Sequence, residues 1–135
     1  MTDTTKALPQ VDEVVTHAHA QDVQLPGGAG TFALITLDNG FDHKKPNSFG
    51  PAGLAELSAV LDTVAARAAQ GEIVGVGITG KPFIFAVGAD ITGIPSITDR
   101  EQALQIARAG HDTFSKISAL PVPTFGFING ASMVR

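Results

Sequence analysis

The sequence contains no cysteine, which excludes a disulfide framework, a thiolate nucleophile and a cysteine-type zinc site. It has no excess of positive charge, since the formal net charge is -4 at pH 7, and this argues against a nucleic-acid partner. No apolar run is long enough to span a bilayer, and the polar N-terminus has no apolar signal core. Together these absences predict a cytoplasmic protein with no membrane partner.

Charged residues are also scarce, at 16% of the chain, whereas apolar residues make up 44%. The apolar share is enough for a core, and 135 residues are enough for one domain or for part of a larger one. A charged share this low is unusual for a free-standing soluble domain. It indicates that further protein covers some of the surface.

Residues 1–10 are polar and rich in threonine, which predicts a disordered N-terminal tail. Residues 11–135 then follow the order strand, strand, helix, strand, strand, helix, strand, and Thr98 with Glu101 has the spacing of a capping box. This order predicts an α/β fold of repeated strand-strand-helix units that bury their faces against one another. The predicted elements lie at 14–24, 31–38 (buried on both faces), 51–70, 73–79, 83–86, 98–120 and 124–128.

The most informative stretch is the apolar run Phe83–Val87, which ends abruptly in Gly88-Ala89-Asp90. A buried strand that breaks at a glycine exposes backbone N–H groups, and such groups can stabilise a developing negative charge. The competing interpretation is a plain strand-to-helix turn in which Asp90 caps whatever segment follows. Spacing alone favours this second interpretation.

Three weaker patterns also have a structural interpretation, which the residues favour. The run 75–80 matches Gly-x-Gly-x-x-Gly, but another strand follows it, which predicts a glycine-thinned strand packed close to a neighbour rather than a dinucleotide site. His17 and His19 share one strand face, but no further ligand lies nearby, so a solvated face and no metal site are predicted. Lys44 and Lys45 precede a helix and could meet phosphate groups, although solvated loop lysines are the commoner case.

Four stretches taken together, in this order and spacing, resemble the enoyl-CoA hydratase/isomerase (crotonase) superfamily. They are 44–49 (KKPNSF), 74–80 (VGVGITG), 85–91 (FAVGADI) and 121–130 (PVPTFGFING). The resemblance covers residues 12–133, and it is greatest to the hydratase domains of bifunctional fatty-acid oxidation proteins. It implies a crotonase-like spiral of stacked β-β-α units.

The resemblance also implies an activity, namely the hydration or isomerisation of enoyl-CoA thioesters in fatty-acid β-oxidation through oxyanion-hole stabilisation of a thioester enolate. By residue match, the backbone N–H of Ala89 would supply one oxyanion donor. No metal and no cofactor are implied, because coenzyme A is part of the substrate. The partners implied are the acyl-CoA substrate and, since intact homologues are homo-oligomers or parts of a multifunctional complex, other subunits. The residues that would contact the acyl-CoA are Lys44, Lys45, Ala86, Gly88, Asp90, Ile91 and Thr92.

The chain departs from the family pattern after Asn129-Gly130. The family continues there into Gly-Gly-Gly and a glutamate, whereas this sequence reads 131–135 (ASMVR). Val134 and Arg135 stand where glycines are expected, and the second oxyanion donor and both catalytic glutamates have no counterpart. We therefore expect the N-terminal part of a truncated crotonase-like domain. The alternative is a catalytically inactive fragment, or a module for acyl-CoA binding or assembly.

Overall fold

A computed structural model describes residues 13–92 and 94–133. The tail predicted at 1–10 lies outside the described residues. Short 3₁₀ turns at Pro26–Gly28 and Ile94–Ser96 supplement the strands and helices. These are β1 (His17–Leu25), β2 (Gly30–Asp38), α1 (Pro51–Ala69), β3 (Gly75–Gly80), β4 (Phe83–Ala86), α2 (Arg100–Ser118), β5 (Thr124–Phe127) and β6 (Gly130–Ser132).

The main sheet contains four strands in the order β1-β2-β3-β5. Strands β1 and β2 form an antiparallel hairpin, whereas β2, β3 and β5 run parallel to one another. Strand β4 leaves this sheet and pairs in parallel with β6. The α/β class and the strand-strand-helix order predicted from the sequence are therefore confirmed, while the short strand β6 was not foreseen.

Helix α1 packs on the main sheet and supplies the centre of the core. Its side chains Leu57, Leu61 and Val64 repeat at helical spacing and are at most 1% exposed. They belong to one cluster with Ile35 and Val76 of the sheet. Burial of each such side chain contributes about 2 kcal/mol, so α1 fixes the position of the loop that precedes it.

The ends of α1 follow the signals in the sequence, with one addition. Pro51 is its first residue, and Gly71, with a φ of 78°, lies just beyond its end. The N-cap residue is a glycine with no side chain to offer. Instead, the carboxylate of Glu13 accepts hydrogen bonds of 2.9 Å from Ala52 N and Gly53 N. A negative charge is stabilised at a helix N-terminus, so this contact ties the segment before β1 to α1.

Helix α2 is capped one residue later than expected, since the expected capping box begins at Thr98. Its N-cap is Asp99, whose Oδ1 accepts a hydrogen bond of 2.9 Å from Gln102 N. The prediction that Thr98 and Glu101 form the box was therefore wrong, because the aspartate beside them is an equally good cap. No helix within residues 13–92 and 94–133 is long and apolar enough to cross a bilayer.

Strand β2 is buried less evenly than its apolar sequence predicts. Ala33, Ile35 and Leu37 on one face are at most 2% exposed, but the residues between them are half-buried. On that second face the ring of Phe32 lies 6.1 Å from the ring of Phe125, measured between centroids. The expectation of full burial on both faces was wrong, because the residues of the second face, Phe32 among them, stay partly exposed.

Candidate functional site

The turn after β4 leaves a backbone N–H group without a partner in the described structure. Strand β4 ends at Ala86, and Gly88 then adopts a φ of 97°, a conformation that favours glycine. Ala89 forms a parallel bridge with Phe49: Phe49 N donates to Gly88 O at 2.9 Å, and Asp90 N donates to Phe49 O at 2.8 Å. These bonds fix the backbone on both sides of Ala89. No atom of residues 13–92 or 94–133 accepts a hydrogen bond from Ala89 N.

A cavity of about 860 Å³ lies between this turn, the start of α1 and helix α2. Apolar side chains such as Phe49, Leu54, Ile106 and Phe114 form much of its wall. The free N–H of the turn therefore lies beside a space large enough for a ligand. The predicted site residues that line this cavity are Ala86, Gly88, Ala89, Asp90 and Thr92, whereas Lys44, Lys45 and Ile91 do not line it.

The loop between β2 and α1 is held against the turn by a buried asparagine. Asn47 is 0% exposed. Its Nδ2 donates to Leu37 O at 2.9 Å and to Phe85 O at 3.1 Å, while its Oδ1 accepts from Asn39 N at 3.1 Å. The backbone of Val87 also donates to Asn47 O at 2.9 Å. The loop and the turn therefore form one hydrogen-bonded unit.

A buried lysine, for which the sequence analysis predicted no role, organises the same loop. Lys81 is 3% exposed and lies in the turn between β3 and β4. Its Nζ donates to Asn39 Oδ1 and to three backbone oxygens, those of Phe41 (2.9 Å), Asp42 (3.0 Å) and Lys45 (2.6 Å). The single charge and the three N–H groups of this ammonium are therefore directed at residues 39–45.

Burial lowers the pKa of Lys81, and the nearby carboxylates of Asp38 and Asp42 act in the opposite direction. The acceptors lie 36 to 42 residues away in the sequence. No periodicity or short motif marks a lysine between Gly80 and Pro82 as buried. Only the topology, which brings the ends of β2 and β3 together at one sheet edge, reveals the contact.

The two candidate phosphate-binding lysines lie on the outside of this loop. Lys44 and Lys45 are both exposed. The Nζ of Lys45 lies 4.5 Å from the centre of the Phe41 ring, and Lys44 N donates to Asp42 Oδ1 at 2.9 Å. The structure thus brings their loop to the turn but keeps both side chains at the surface.

Among the described residues, both carboxylates that line the cavity are already engaged. Glu13 binds the N-terminus of α1, as described above. Asp90 Oδ1 accepts from Thr92 N at 2.9 Å and from Thr92 Oγ1 at 2.7 Å. Asp90 therefore closes an Asx turn and caps the segment that leads to the 3₁₀ turn Ile94–Ser96, whereas Asp99 caps the α-helix beyond it.

The chain after β5 reaches the turn from the other side. Met133 N donates to Ala86 O at 3.1 Å, and Ser132 and Met133 line the cavity. The backbone at the end of β4 is thereby held between two segments. Val134 and Arg135, which occupy positions where the resemblance expects glycines, lie outside the described residues.

Comparison with curated proteins identifies relatives over most of this chain, although no family model matches it. A protein named fatty acid oxidation complex subunit alpha, from Shewanella frigidimarina, is 35% identical over 104 residues, which span 75% of this chain and 14% of the relative. A protein of the same name from Shewanella loihica is 31% identical over 115 residues, spanning 76% of this chain and 15% of the relative. The chain thus spans about one seventh of the length of these relatives.

Solved structures share the fold. An enoyl-CoA hydratase from Bacillus anthracis superposes with a TM-score of 0.66 at 23% identity, covering 84% of this chain and 40% of its own. The Pseudomonas aeruginosa protein DspI gives a TM-score of 0.66 at 23% identity, covering 90% of this chain and 44% of its own. The chain belongs to the crotonase superfamily. The predicted crotonase-like α/β fold is thus confirmed, over less than half of the length of these structures.

In this crotonase-superfamily chain, the glycine motif of β3 serves packing. A Cβ placed on Gly77 would lie 2.5 Å from the Phe127 ring and 2.8 Å from the Phe32 ring. Strand β4, rather than a helix, follows the motif. The prediction of a glycine-thinned strand packed close to a neighbour is confirmed, and the dinucleotide interpretation was wrong.

The histidine pair on β1 lies on an exposed face. His17 and His19 are both exposed, with ring centroids 6.1 Å apart. The Nδ1 of His17 lies 2.9 Å from Glu56 Oε2. Within the described ranges of this crotonase-superfamily chain, no group of three metal-ligating side chains comes together. The pair therefore lies on the solvated strand face that the sequence predicted.

Proposed function

We propose that this chain forms the thioester-binding part of an enzyme that hydrates or isomerises enoyl-CoA thioesters in fatty-acid β-oxidation. The observation that supports this most directly is the Ala89 N–H. No described residue accepts a hydrogen bond from it, and Ala89 lines an apolar cavity of about 860 Å³. A relative named as a fatty acid oxidation complex subunit supports the pathway. On the sequence grounds given above, we also propose a cytoplasmic site of action.

The chemistry of the proposal rests on a donor that is oriented before the substrate binds. The Ala89 N–H would donate to the thioester oxygen, where negative charge accumulates as the enolate forms. The bridge to Phe49 and the left-handed conformation of Gly88 hold this N–H in place. A fixed dipole needs no reorganisation during the reaction, so it stabilises the transition state more than the ground state.

The two ends of the substrate would meet different surfaces. The apolar wall around Ile106 and Phe114 suits the acyl chain. Lys44 and Lys45 would meet the phosphates of coenzyme A, since charge-assisted contacts to phosphate are strong. Ile91 and the remaining turn residues would contact the pantetheine arm. No metal takes part in the proposal, and coenzyme A enters as part of the substrate.

A second candidate function is a non-catalytic module for acyl-CoA binding or assembly. Glu13 and Asp90, the described carboxylates that line the cavity, are both engaged in structural hydrogen bonds, so neither is available to move a proton. Phe125, Phe127 and Met133 are also about half exposed along β5 and after β6, a surface that suits contact with another chain. Both candidates share the thioester site and differ in turnover.

The thioester contact is tested by comparing two ligands that differ only in the thioester carbonyl, which a CH2 group replaces in the second. Calorimetric titration of the chain with crotonyl-CoA and with the corresponding S-butenyl-CoA thioether isolates the carbonyl oxygen. One net hydrogen bond predicts about a fivefold to tenfold preference for the thioester. Equal affinities would contradict the proposal. Hydration of crotonyl-CoA by the same sample would favour the enzyme, and binding without hydration would favour the module.

Replacing Ala89 with proline tests whether the Ala89 N–H is the group that donates to the thioester oxygen. Proline removes the N–H and adds no new polar group, so the thioester preference should disappear while binding of the thioether is retained. In a catalytically active assembly the same change should cost about 3 kcal/mol of transition-state stabilisation. Circular dichroism establishes whether the variant folds, and the comparison of ligands on the unmodified chain decides the question if it does not.

A further inference from the structure

The buried ammonium group of Lys81 lies at the centre of the loop that carries the two exposed lysines. We propose that Lys81 is a positioning residue for coenzyme A: by gathering backbone oxygens of residues 41–45, it holds Lys44 and Lys45 where they meet the phosphates. This inference rests on the proposed function. It assigns a role in recognition to a side chain that does not line the cavity.

The first step is that the loop depends on Lys81 for its shape. Four oxygen atoms lie within 3.0 Å of the Nζ, three of them from the backbone of residues 41–45. Within residues 40–46 of the described chain, the only backbone–backbone hydrogen bond is the one of 3.2 Å that Lys45 N donates to Asp42 O. The other bonds of the loop run through side chains: Asp38, Asn39 and Asp42 accept from the backbone N of Gly40, Phe41 and Lys44, and Asn39 Nδ2 donates to Lys45 O and Pro46 O. With so little backbone pairing, the carbonyl groups of residues 41, 42 and 45 are satisfied by the cation at the centre of the loop, which therefore contributes to its conformation.

The second step is that Lys81 itself is fixed to the sheet. Asn129, which follows β5, donates from Nδ2 to Gly80 O at 3.0 Å and to Lys81 O at 2.8 Å. Its Oδ1 accepts from Gly80 N at 3.1 Å. These contacts anchor the backbone of Lys81 between the ends of two parallel strands, so the ammonium group has a set position relative to the core.

The third step connects the loop to the proposed oxyanion donor. Asn39 accepts from Lys81 through Oδ1 and donates to Asn47 Oδ1 through its backbone N. Asn47 in turn pairs with the turn before Ala89 through Val87 N. The lysine loop and the Ala89 turn are therefore parts of one rigid unit. A ligand that contacts both would find the spacing between them already set.

The experiment separates a role through the loop from a general loss of stability. Crotonyl-CoA and crotonyl-pantetheine carry the same thioester, but only the first carries the nucleotide phosphates. Calorimetric titration is carried out on the unmodified chain, Lys81→Met, Lys44→Ala/Lys45→Ala and the triple variant. Lys81→Met should weaken crotonyl-CoA binding about tenfold, the order expected when a loop must be ordered on binding, and should leave crotonyl-pantetheine unchanged. In the Lys44→Ala/Lys45→Ala background Lys81→Met should have no further effect.

Several results would overturn the inference. They are an equal loss for both ligands in Lys81→Met, a further loss in the triple variant, and unchanged crotonyl-CoA binding in Lys81→Met or in Lys44→Ala/Lys45→Ala. Leu61→Ala, in the core of α1 and 0% exposed, is the control for destabilisation and should keep the ratio of the two affinities. If Lys81→Met does not fold, Lys81→Arg takes its place, since its planar group cannot reproduce the same four contacts. If the unmodified chain binds neither ligand, the proposed function fails, and with it the basis of this inference.

Discussion

Replacement of Asn47 by leucine should lower the free energy of unfolding by about 3 kcal/mol. The two side chains have nearly the same shape, so the change removes hydrogen bonds without opening a cavity. Asn47 is fully buried and makes three side-chain hydrogen bonds, to Asn39 N, Leu37 O and Phe85 O, at 2.9–3.1 Å. A buried polar group left without a partner costs about 1–3 kcal/mol. For each of the three backbone groups that lose their partner we take about 1 kcal/mol, the low end of this range. The reason is that the buried leucine side chain recovers part of the cost through its own transfer from water.

The matched control for this change is Thr16→Val. Thr16 is 1% exposed, and its Oγ1 donates one hydrogen bond of 2.7 Å to Ser48 O in the same loop. Valine has the same shape, so the cost should be about 1 kcal/mol. The chain contains neither tryptophan nor tyrosine, and urea unfolding is therefore followed by the circular dichroism of the helices. If Asn47→Leu costs no more than Thr16→Val, Asn47 does not hold the loop and the reasoning is refuted.

Three further predictions concern other parts of the chain. Phe83 has a φ of 68° and is 72% exposed. Phe83→Asn should therefore raise the free energy of unfolding by about 1 kcal/mol, because asparagine adopts this conformation more readily. A lower free energy of unfolding in urea would contradict this. The hydrogen bonds from Arg67 hold the pKa of Asp22 below its ordinary 3.8. The stabilisation that the Asp22–Arg67 pair gives the folded chain is therefore present above about pH 4 and is lost as pH falls through the lowered pKa. The stability gap between the unmodified chain and Asp22→Asn should therefore close in acid, and a gap that persists there would refute the assignment. Glu13→Ala removes the cap of α1 and should cost about 1 kcal/mol in the thermal unfolding free energy, whereas no change would mean that the contact contributes nothing.

Features governed by a residue's own backbone chemistry could be predicted from the sequence. Pro51 and Gly71 bound α1 because one fixes φ and the other adopts a positive φ at no cost. The break after Phe83–Ala86 also lies where the glycine at position 88 requires it. Strand pairing could be anticipated only as a class, since periodicity does not reveal that β4 leaves the main sheet for β6.

The buried polar contacts could not be predicted, because each joins residues far apart in the chain. Lys81 reads as a turn residue until the fold places it beneath a loop about 40 residues earlier. Glu13 reads as a surface acid until the fold brings it to the start of α1. Asn39 likewise follows β2, and nothing in the neighbouring sequence indicates which donors will bond to its side chain. Such networks depend on topology, which local propensity does not encode.

The central claim is that the Ala89 N–H holds a thioester oxygen. It is tested most directly by the amide spectrum of the chain labelled with ¹⁵N-alanine, titrated with crotonyl-CoA and then with its thioether analogue. A hydrogen bond to the carbonyl oxygen should move the Ala89 amide proton downfield with the thioester and not with the thioether. Ala86 and Ala107 also line the cavity and report binding of either ligand. If their resonances shift with crotonyl-CoA while that of Ala89 stays in place, the cavity binds the ligand and Ala89 is not the donor.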